Sequence, residues 1–251
     1  MKEINPLIPV NPEGLDNVVR ELLDENVNVN DVNQVTGTNP PKNPEDYLIL
    51  ETVDSKNNKI GLYVAKDKDF FGKNWYKAHQ ELSKEGYQML TIRQGIDLIK
   101  MLKSKKVYDG LKAKLNDAEI AQLLNEIIEI RILWRAEWLD ARFAQENNEW
   151  YLFQGHKYDV SKQGKLEDKV VAKSRIKVSP LIENIKFDLK DVNQYGLPTK
   201  KGSELDYWYP TNGSVAGFSA VSGRADLVCS RDPSNSDRAL AVRRAKILGV
   251  V

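Results

Sequence analysis

Side chains set out at a two-residue period open the patterned part of the chain. In DYLILETVD, Tyr47, Ile49 and Glu51 alternate with Leu48 and Leu50, the two-residue period of a strand whose faces meet different surroundings. KIGLYVAKD has a similar strand-forming content, and the Asn57-Asn58 pair between the two runs predicts a hairpin, because Asn tolerates the left-handed backbone of tight turns. Helical spacing follows. Trp75, Ala78 and Leu82 share one face of NWYKAHQELSKEG, with Gly86 as the stop. Thr91 is placed to cap TIRQGIDLIKMLKS, in which Ile92, Ile96, Ile99 and Leu102 form a buried stripe. YQML, between these helices, reads as a short strand or a strand-like connection. A third helix is predicted from about Asp117 to Arg135, capped by Asn116 and carrying Ile120, Leu123, Leu124, Ile127, Ile130 and Trp134. Finally, EWLDARFAQ and EWYLFQGHKYDV flank Asn147-Asn148 and predict a second hairpin anchored by Trp138, Phe143, Trp150 and Phe153.

Two stretches lack such patterns. Residues 1–44 read as an N-terminal arm, with one short helix expected in LDNVVRELLDEN. The Asn-rich, Pro-punctuated remainder has too little apolar surface to offset the entropy of ordering. It is either a linker or an oligomerisation arm, with disorder as the third option. The charged segment from Ser161 to Glu204 contains one strand-like piece, VVAKSRIKV, and is either an insertion or an extended connection. A strand pair, helices, strands and a long irregular C-terminal part imply an α+β fold over residues 45–251, with helices packed on antiparallel sheet.

Composition narrows the function classes. The 251 residues are 41% hydrophobic and 29% charged, enough for a sizeable core, and the formal net charge of +1 gives no reason to expect nucleic acid or an anionic membrane as partner. No apolar run approaches the roughly 20 residues that span a bilayer, and MKEINPLIPVNPEG lacks the basic-then-apolar order of a signal peptide, so neither membrane insertion nor general secretion is expected. The single Cys229 excludes an intrachain disulfide and a Cys-rich zinc site.

Candidate chemistry is sparse. His79 and His156 are the only histidines, and with no third ligand at suggestive spacing they read as structural or surface residues, with no metal site expected. Cys229 reads as a buried inert thiol, because no histidine is near to serve as its base. Glu137 and Asp140 fall on opposite faces of a strand and read as solvated or ion-paired carboxylates. Arg243 and Arg244 read as salt-bridge or strand-end residues. Glycine-rich phosphate loops, a G-x-S-x-G elbow, and the Glu-Pro-Asn, Gln-Pro-Asp and Trp-Asn-Asp triplets of calcium-dependent sugar binding are all missing. No cofactor and no catalytic residue is therefore expected.

The C-terminal region departs from the rest of the chain. From Tyr209 through Ala245 there is no Lys, Glu, Gln, Met, Trp, Ile or His, although the chain holds 26 Lys and 17 Glu, and five of its 11 Arg fall in this window. Lys and Glu are the usual occupants of a solvated face. Within GFSAVSGRADLVCSRDPSNSDRAL, Phe218, Ala220 and Ser222 share one parity, and beyond a turn or bulge at Gly223-Arg224 the inward set resumes as Ala225, Leu227 and Cys229. Pro233 ends that strand, PSNSD makes a loop, and a last strand buries Leu240 and Val242.

This frame resembles the C-terminal variable region, here about residues 209–245, of proteins diversified by diversity-generating retroelements, especially those of archaeal viruses and their relatives. The upstream segments WYKAHQELSKEGYQMLTIRQGIDLIKML and EWLDARFAQENNEWYL are similar to the core of the same family. The resemblance implies a C-type lectin fold of the type shared with formylglycine-generating enzymes. It also implies a non-enzymatic display protein whose variable surface binds an unspecified protein or surface ligand, with the arm as a candidate oligomerisation element and a virion or cell surface as the expected location. In that family an error-prone reverse transcriptase mutates template adenines, commonly in Asn codons. Such changes cannot yield Lys, Glu, Gln, Met or Trp, but reach all of Ser219, Val221, Gly223, Asp226, Val228, Ser230, Asp232, Asn235, Asp237 and Arg238, the implied ligand-binding set. None of the ten is a large aromatic, so weak binding or an unusual partner is expected of this variant. The competing readings are a structural virion or surface component with no dedicated ligand, and a relative of the formylglycine-generating enzymes. The latter chemistry relies on a cysteine pair handling copper, which a single Cys does not supply.

Overall fold

Tyr47–Val53 (β1) and Lys59–Asp69 (β2) pair antiparallel, Tyr47 opposite Ala65 and Val53 opposite Lys59, as the alternation predicts. The computed structural model describes residues 39–250 apart from 55, 57, 131–133 and 222. The expected arm therefore lies almost wholly outside the described residues, as do its short helix, Asn57 of the first turn and Ser222 of the inward set.

Helix α1 (Trp75–Lys84) begins where the Asn74 side chain accepts a hydrogen bond from the Lys77 amide at 2.8 Å, and it buries Trp75, Ala78 and Leu82. After Gly86 and the short β3 (Gln88–Met89), helix α2 (Ile92–Ser104) opens with a reciprocal capping box between Thr91 and Gln94. Its stripe of Ile92, Ile96, Ile99 and Leu102 is fully buried. Helix α3 (Asp117–Ile128) has the same device in Asn116 and Glu119.

The predicted extension of this third helix to Arg135 is corrected. At Glu129 the backbone is already extended, with ψ at 130°, and Ile130 is 55% exposed. The physical reason is Arg135 itself. Its Nε donates to the Glu126 carbonyl at 2.7 Å and its Nη2 to the Glu129 carbonyl at 2.6 Å, with a further contact to the Asn125 carbonyl. A cation on the orphan carbonyls of a helix end is favourable both by hydrogen bonding and by the helix dipole. The apolar period runs on in sequence, but the chain has turned into a strand.

That strand is β4 (Arg135–Glu146), which pairs with β5 (Glu149–Gln154) around Asn147 and Asn148, both in the left-handed region. Beyond it come β6 (Lys157–Tyr158), a single helical turn α4 (Leu166–Lys169), β7 (Val170–Val171), β8 (Ser174–Lys177), β9 (Ile185–Phe187), β10 (Leu205–Trp208), β11 (Val215–Val221), β12 (Arg224–Arg231) and β13 (Leu240–Val250). The main sheet runs β1-β2-β13-β4-β11-β12-β10-β9, with β3 also on β13 and β5–β8 continuing from β4. Two of its pairings, β13 with β4 and β10 with β12, are parallel, an addition to the expected antiparallel pattern. The chain is thus mixed α+β. No helix among the described residues is long and apolar enough to cross a membrane.

The segment 161–204 is more than a charged connection. It supplies β8 to the edge of β5 and β9 to the edge of β10, and it buries Val170, Val178, Phe187, Leu189 and Leu197. On one face of the sheet, Phe218, Ala220, Ala225, Leu227 and Cys229 join the stripe of α2 in the larger core; on the other, Trp75, Trp138, Val215, Leu240 and Val242 form a second.

Strand β11 rests directly on α2. A Cβ added at Gly95 would lie 2.6 Å from the edge of the Phe218 ring and 3.2 Å from Leu139. Neither neighbour is free to yield, because both are buried. Gly95→Ala is therefore expected to destabilise the protein by about 1–3 kcal/mol through overpacking, read as a lowered midpoint with unchanged slope in urea denaturation.

Candidate functional site

The β11–β12 hairpin closes between Val221 and Arg224, with Gly223 at φ 93° in the turn. The turn alternative at Gly223-Arg224 is the one realised, and it aligns the inward residues across the pair, Phe218 opposite Leu227 and Ala220 opposite Ala225. All five described members of the inward set are at most 7% exposed. Cys229 is among them. Burial pushes its thiol well above the ordinary range, which suits an inert packing residue and not a nucleophile.

The ten residues of the implied ligand-binding set divide into three groups. Gly223, Asp232, Asn235, Asp237 and Arg238 are exposed, and Val221, Val228 and Ser230 are half-buried. Ser219 and Asp226, however, are 4% and 3% exposed, so their expected outward display is corrected. The cause is a local polar network. Asp226 accepts from the Ser219 hydroxyl at 3.1 Å and from the Trp208 indole N–H at 3.0 Å, and it pairs with Arg224 Nε at 3.0 Å. Strand β10, alongside β12 with Trp208 beside Val228, brings the indole there.

Two arginine-on-tryptophan contacts enclose the same face. The Arg224 guanidinium lies 4.9 Å from the Trp208 ring centroid and that of Arg231 lies 5.3 Å from Trp134. Arg231 lies flat on the sheet because residue 217 is glycine: a Cβ there would be 3.3 Å from the arginine Cδ and 2.7 Å from the Glu137 carbonyl. Burial pushes the Arg231 pKa down to about 10, against the opposing pull of Asp226, so the side chain stays cationic at neutral pH. Next to Trp208 a groove of about 280 Å³ is lined by Asn184, Ile185, Lys186, Asp206 and Tyr207. The aromatic surface missing from the ten predicted positions is therefore present beside them.

The loop from Asp232 to Ala239 is organised by its own side chains. Asp232 accepts from the Ser234 amide at 2.8 Å, Asn235 from the Asp237 amide at 2.9 Å, and Asp237 from the Ala239 amide at 2.8 Å. Its ends are tied to the 72–75 turn, where the Trp75 amide donates to the Pro233 carbonyl and the Gly72 amide to that of Leu240, each at 3.0 Å. Short polar residues thus hold an exposed loop in one shape.

Elsewhere, the charges singled out in the sequence are paired, some of them in the interior. Arg243, 2% exposed, meets Glu137 through Nη2 at 2.9 Å and Nε at 3.3 Å. Arg244 pairs with Glu85 at 3.0 Å and with Asp69. Asp140 is also buried, and it gathers both histidines. Its Oδ1 contacts His156 Nδ1 and lies 3.8 Å from His79 Nε2, while its Oδ2 accepts from the amides of Gly155 at 2.8 Å and His156 at 3.0 Å. The absence of a third ligand, inferred from spacing, is thereby corrected. The hairpin register offered a signal, since a turn at Asn147-Asn148 places residue 155 across from residue 140; nothing local in the sequence announces His79. Trp208 and Arg224 were missed because the parallel β10–β12 pairing is non-local.

No protein-family model, curated protein or solved structure matches the chain.

The two kinds of predicted site residue should separate experimentally. Asp226→Ala leaves the half-buried Trp208 N–H and the buried Ser219 hydroxyl without their acceptor and is expected to cost about 1–3 kcal/mol, whereas Arg238→Ala should stay within about 0.5 kcal/mol of the parent. Chemical denaturation of the two variants side by side checks this.

Proposed function

We propose that this chain is a ligand-binding display protein of the retroelement-diversified class, built on a C-type lectin fold of the formylglycine-generating-enzyme type. Three helices packed against a largely antiparallel sheet support the finer fold assignment. The observation that carries the functional reading is the division within residues 215–240. Phe218, Ala220, Ala225, Leu227, Cys229 and Leu240 are buried, while Val221, Gly223, Val228, Ser230 and the loop residues between them and β13 reach solvent. These are also residues that adenine substitution in Asn codons produces.

The physical logic is that of a paratope. Packing that does not involve the displayed side chains tolerates their replacement, and a loop already held by its own hydrogen bonds loses little entropy on binding. Trp208, outside the variable region, supplies a constant aromatic anchor next to Val228, with Arg224 above it for partners bearing carboxylates. Ser219 and Asp226 form the floor of this surface, and their mutual hydrogen bond orients the Trp208 ring. The ligand class that fits is a folded partner presenting a surface of mixed polarity.

Sequencing the encoding locus tests the reading. It should contain a reverse transcriptase gene and a second near-copy of codons 209–245 that differs from the first at adenines. A locus lacking that near-copy, or one in which the differences ignore base identity, would contradict it.

A further inference from the structure

The His79, Asp140 and His156 side chains stand apart from the proposed display surface and are explained by neither packing nor binding there. We propose that these three residues form a buried site for a divalent ion of the zinc class, pinning α1 to the β4–β5 hairpin.

The geometry comes first. The three donor atoms, from α1, from β4 and from the turn after β5, lie within 4.8 Å of one another, and all three residues are at most 5% exposed. Zinc–nitrogen and zinc–oxygen bonds of about 2.0–2.2 Å put donors on a tetrahedral ion roughly 3.3–3.6 Å apart. His79 Nε2 and Asp140 Oδ1, at 3.8 Å, are already near that spacing. Second, His79 Nε2 is buried without a hydrogen-bond partner. A polar atom in that position costs stability unless something satisfies it, and a metal ion is one such partner.

Third, the supports of a metal site are in place. Asp140 Oδ2 is held by two backbone amides, which leaves Oδ1 aimed at the two imidazoles. Trp75 packs edge-on against both rings, with centroids 4.2 Å from His79 and 4.7 Å from His156, and its own N–H is bonded to the Leu139 carbonyl at 2.9 Å. The rings therefore have little freedom to turn away. Coordination through His156 Nδ1 would replace its contact with Asp140 Oδ1 and leave the ring proton on Nε2. Three protein donors leave one tetrahedral position for water. Because the cluster lies beneath Trp75, whose amide also anchors the loop at Pro233, the ion would stiffen the support of the display loop.

The test uses the full chain, stripped with chelator and titrated calorimetrically with zinc chloride, with cobalt(II) chloride as an optical probe. One zinc ion per chain should bind and raise the thermal midpoint by about 5 °C or more at a hundredfold excess over Kd. Cobalt should give the intense visible bands of a four-coordinate site. His79→Gln should weaken zinc binding by roughly tenfold or more, with cooperative unfolding confirming that the variant is folded. The cobalt spectrum of the parent needs no variant. Absence of saturable zinc binding, a cobalt spectrum like that of the hydrated ion, or equal zinc affinity in folded His79→Gln would each overturn the proposal.

Discussion

The close approach of Phe218 to Gly95 sets the depth at which β11 sits on α2, and the rest of the C-terminal region is built outward from that contact. Because no side chain intervenes at residue 95, the strand lies close enough for Ala220, Ala225, Leu227 and Cys229 to share a core with Ile92, Ile96 and Ile99. Small residues on the inward parity are what this spacing demands. The outward parity is then free of any packing duty toward α2, and only where it meets the Trp208 indole and its neighbours does it acquire one.

Two polar pairs inside the fold join separate strands: Arg243 of β13 is met by Glu137 of β4, and Asp226 of β12 by Trp208 of β10. Such pairs add little net stability over apolar residues of similar volume, but removing one partner leaves an uncompensated buried group. They therefore favour one strand order over others, because only this order satisfies them. Asp140 is the case in which the account is incomplete without an ion, since one of its two imidazole neighbours retains an unpaired nitrogen.

Local elements were legible because their signals are local. Thr91 with Gln94 and Asn116 with Glu119 form the capping boxes, and Asn147-Asn148 sets the register of its hairpin through two left-handed residues. The third helix was overrun because isoleucines sustain the helical period past Ile128, while the residue that ends the helix, Arg135, acts from the next strand. Burial of Ser219 and Asp226 could not be read from parity, which gives the face of a sheet and not what covers it; the cover is Trp208, brought in by a parallel pairing. In the same way the charge-rich composition of 161–204 concealed Phe187, Leu189 and Leu197, single apolar residues without a period that nonetheless fill the core.

The central claim is that residues 215–240 carry two separable sets, one that specifies the fold and one that it tolerates. The most direct measurement replaces Val221, Val228, Ser230, Asn235 and Arg238 together, in a panel of variants of random composition at those five positions, and follows cooperative unfolding in urea. The account predicts that most members unfold in one transition within about 2 kcal/mol of the parent. Loss of cooperative unfolding in most of the panel would show that these side chains help to specify the fold, and would contradict it.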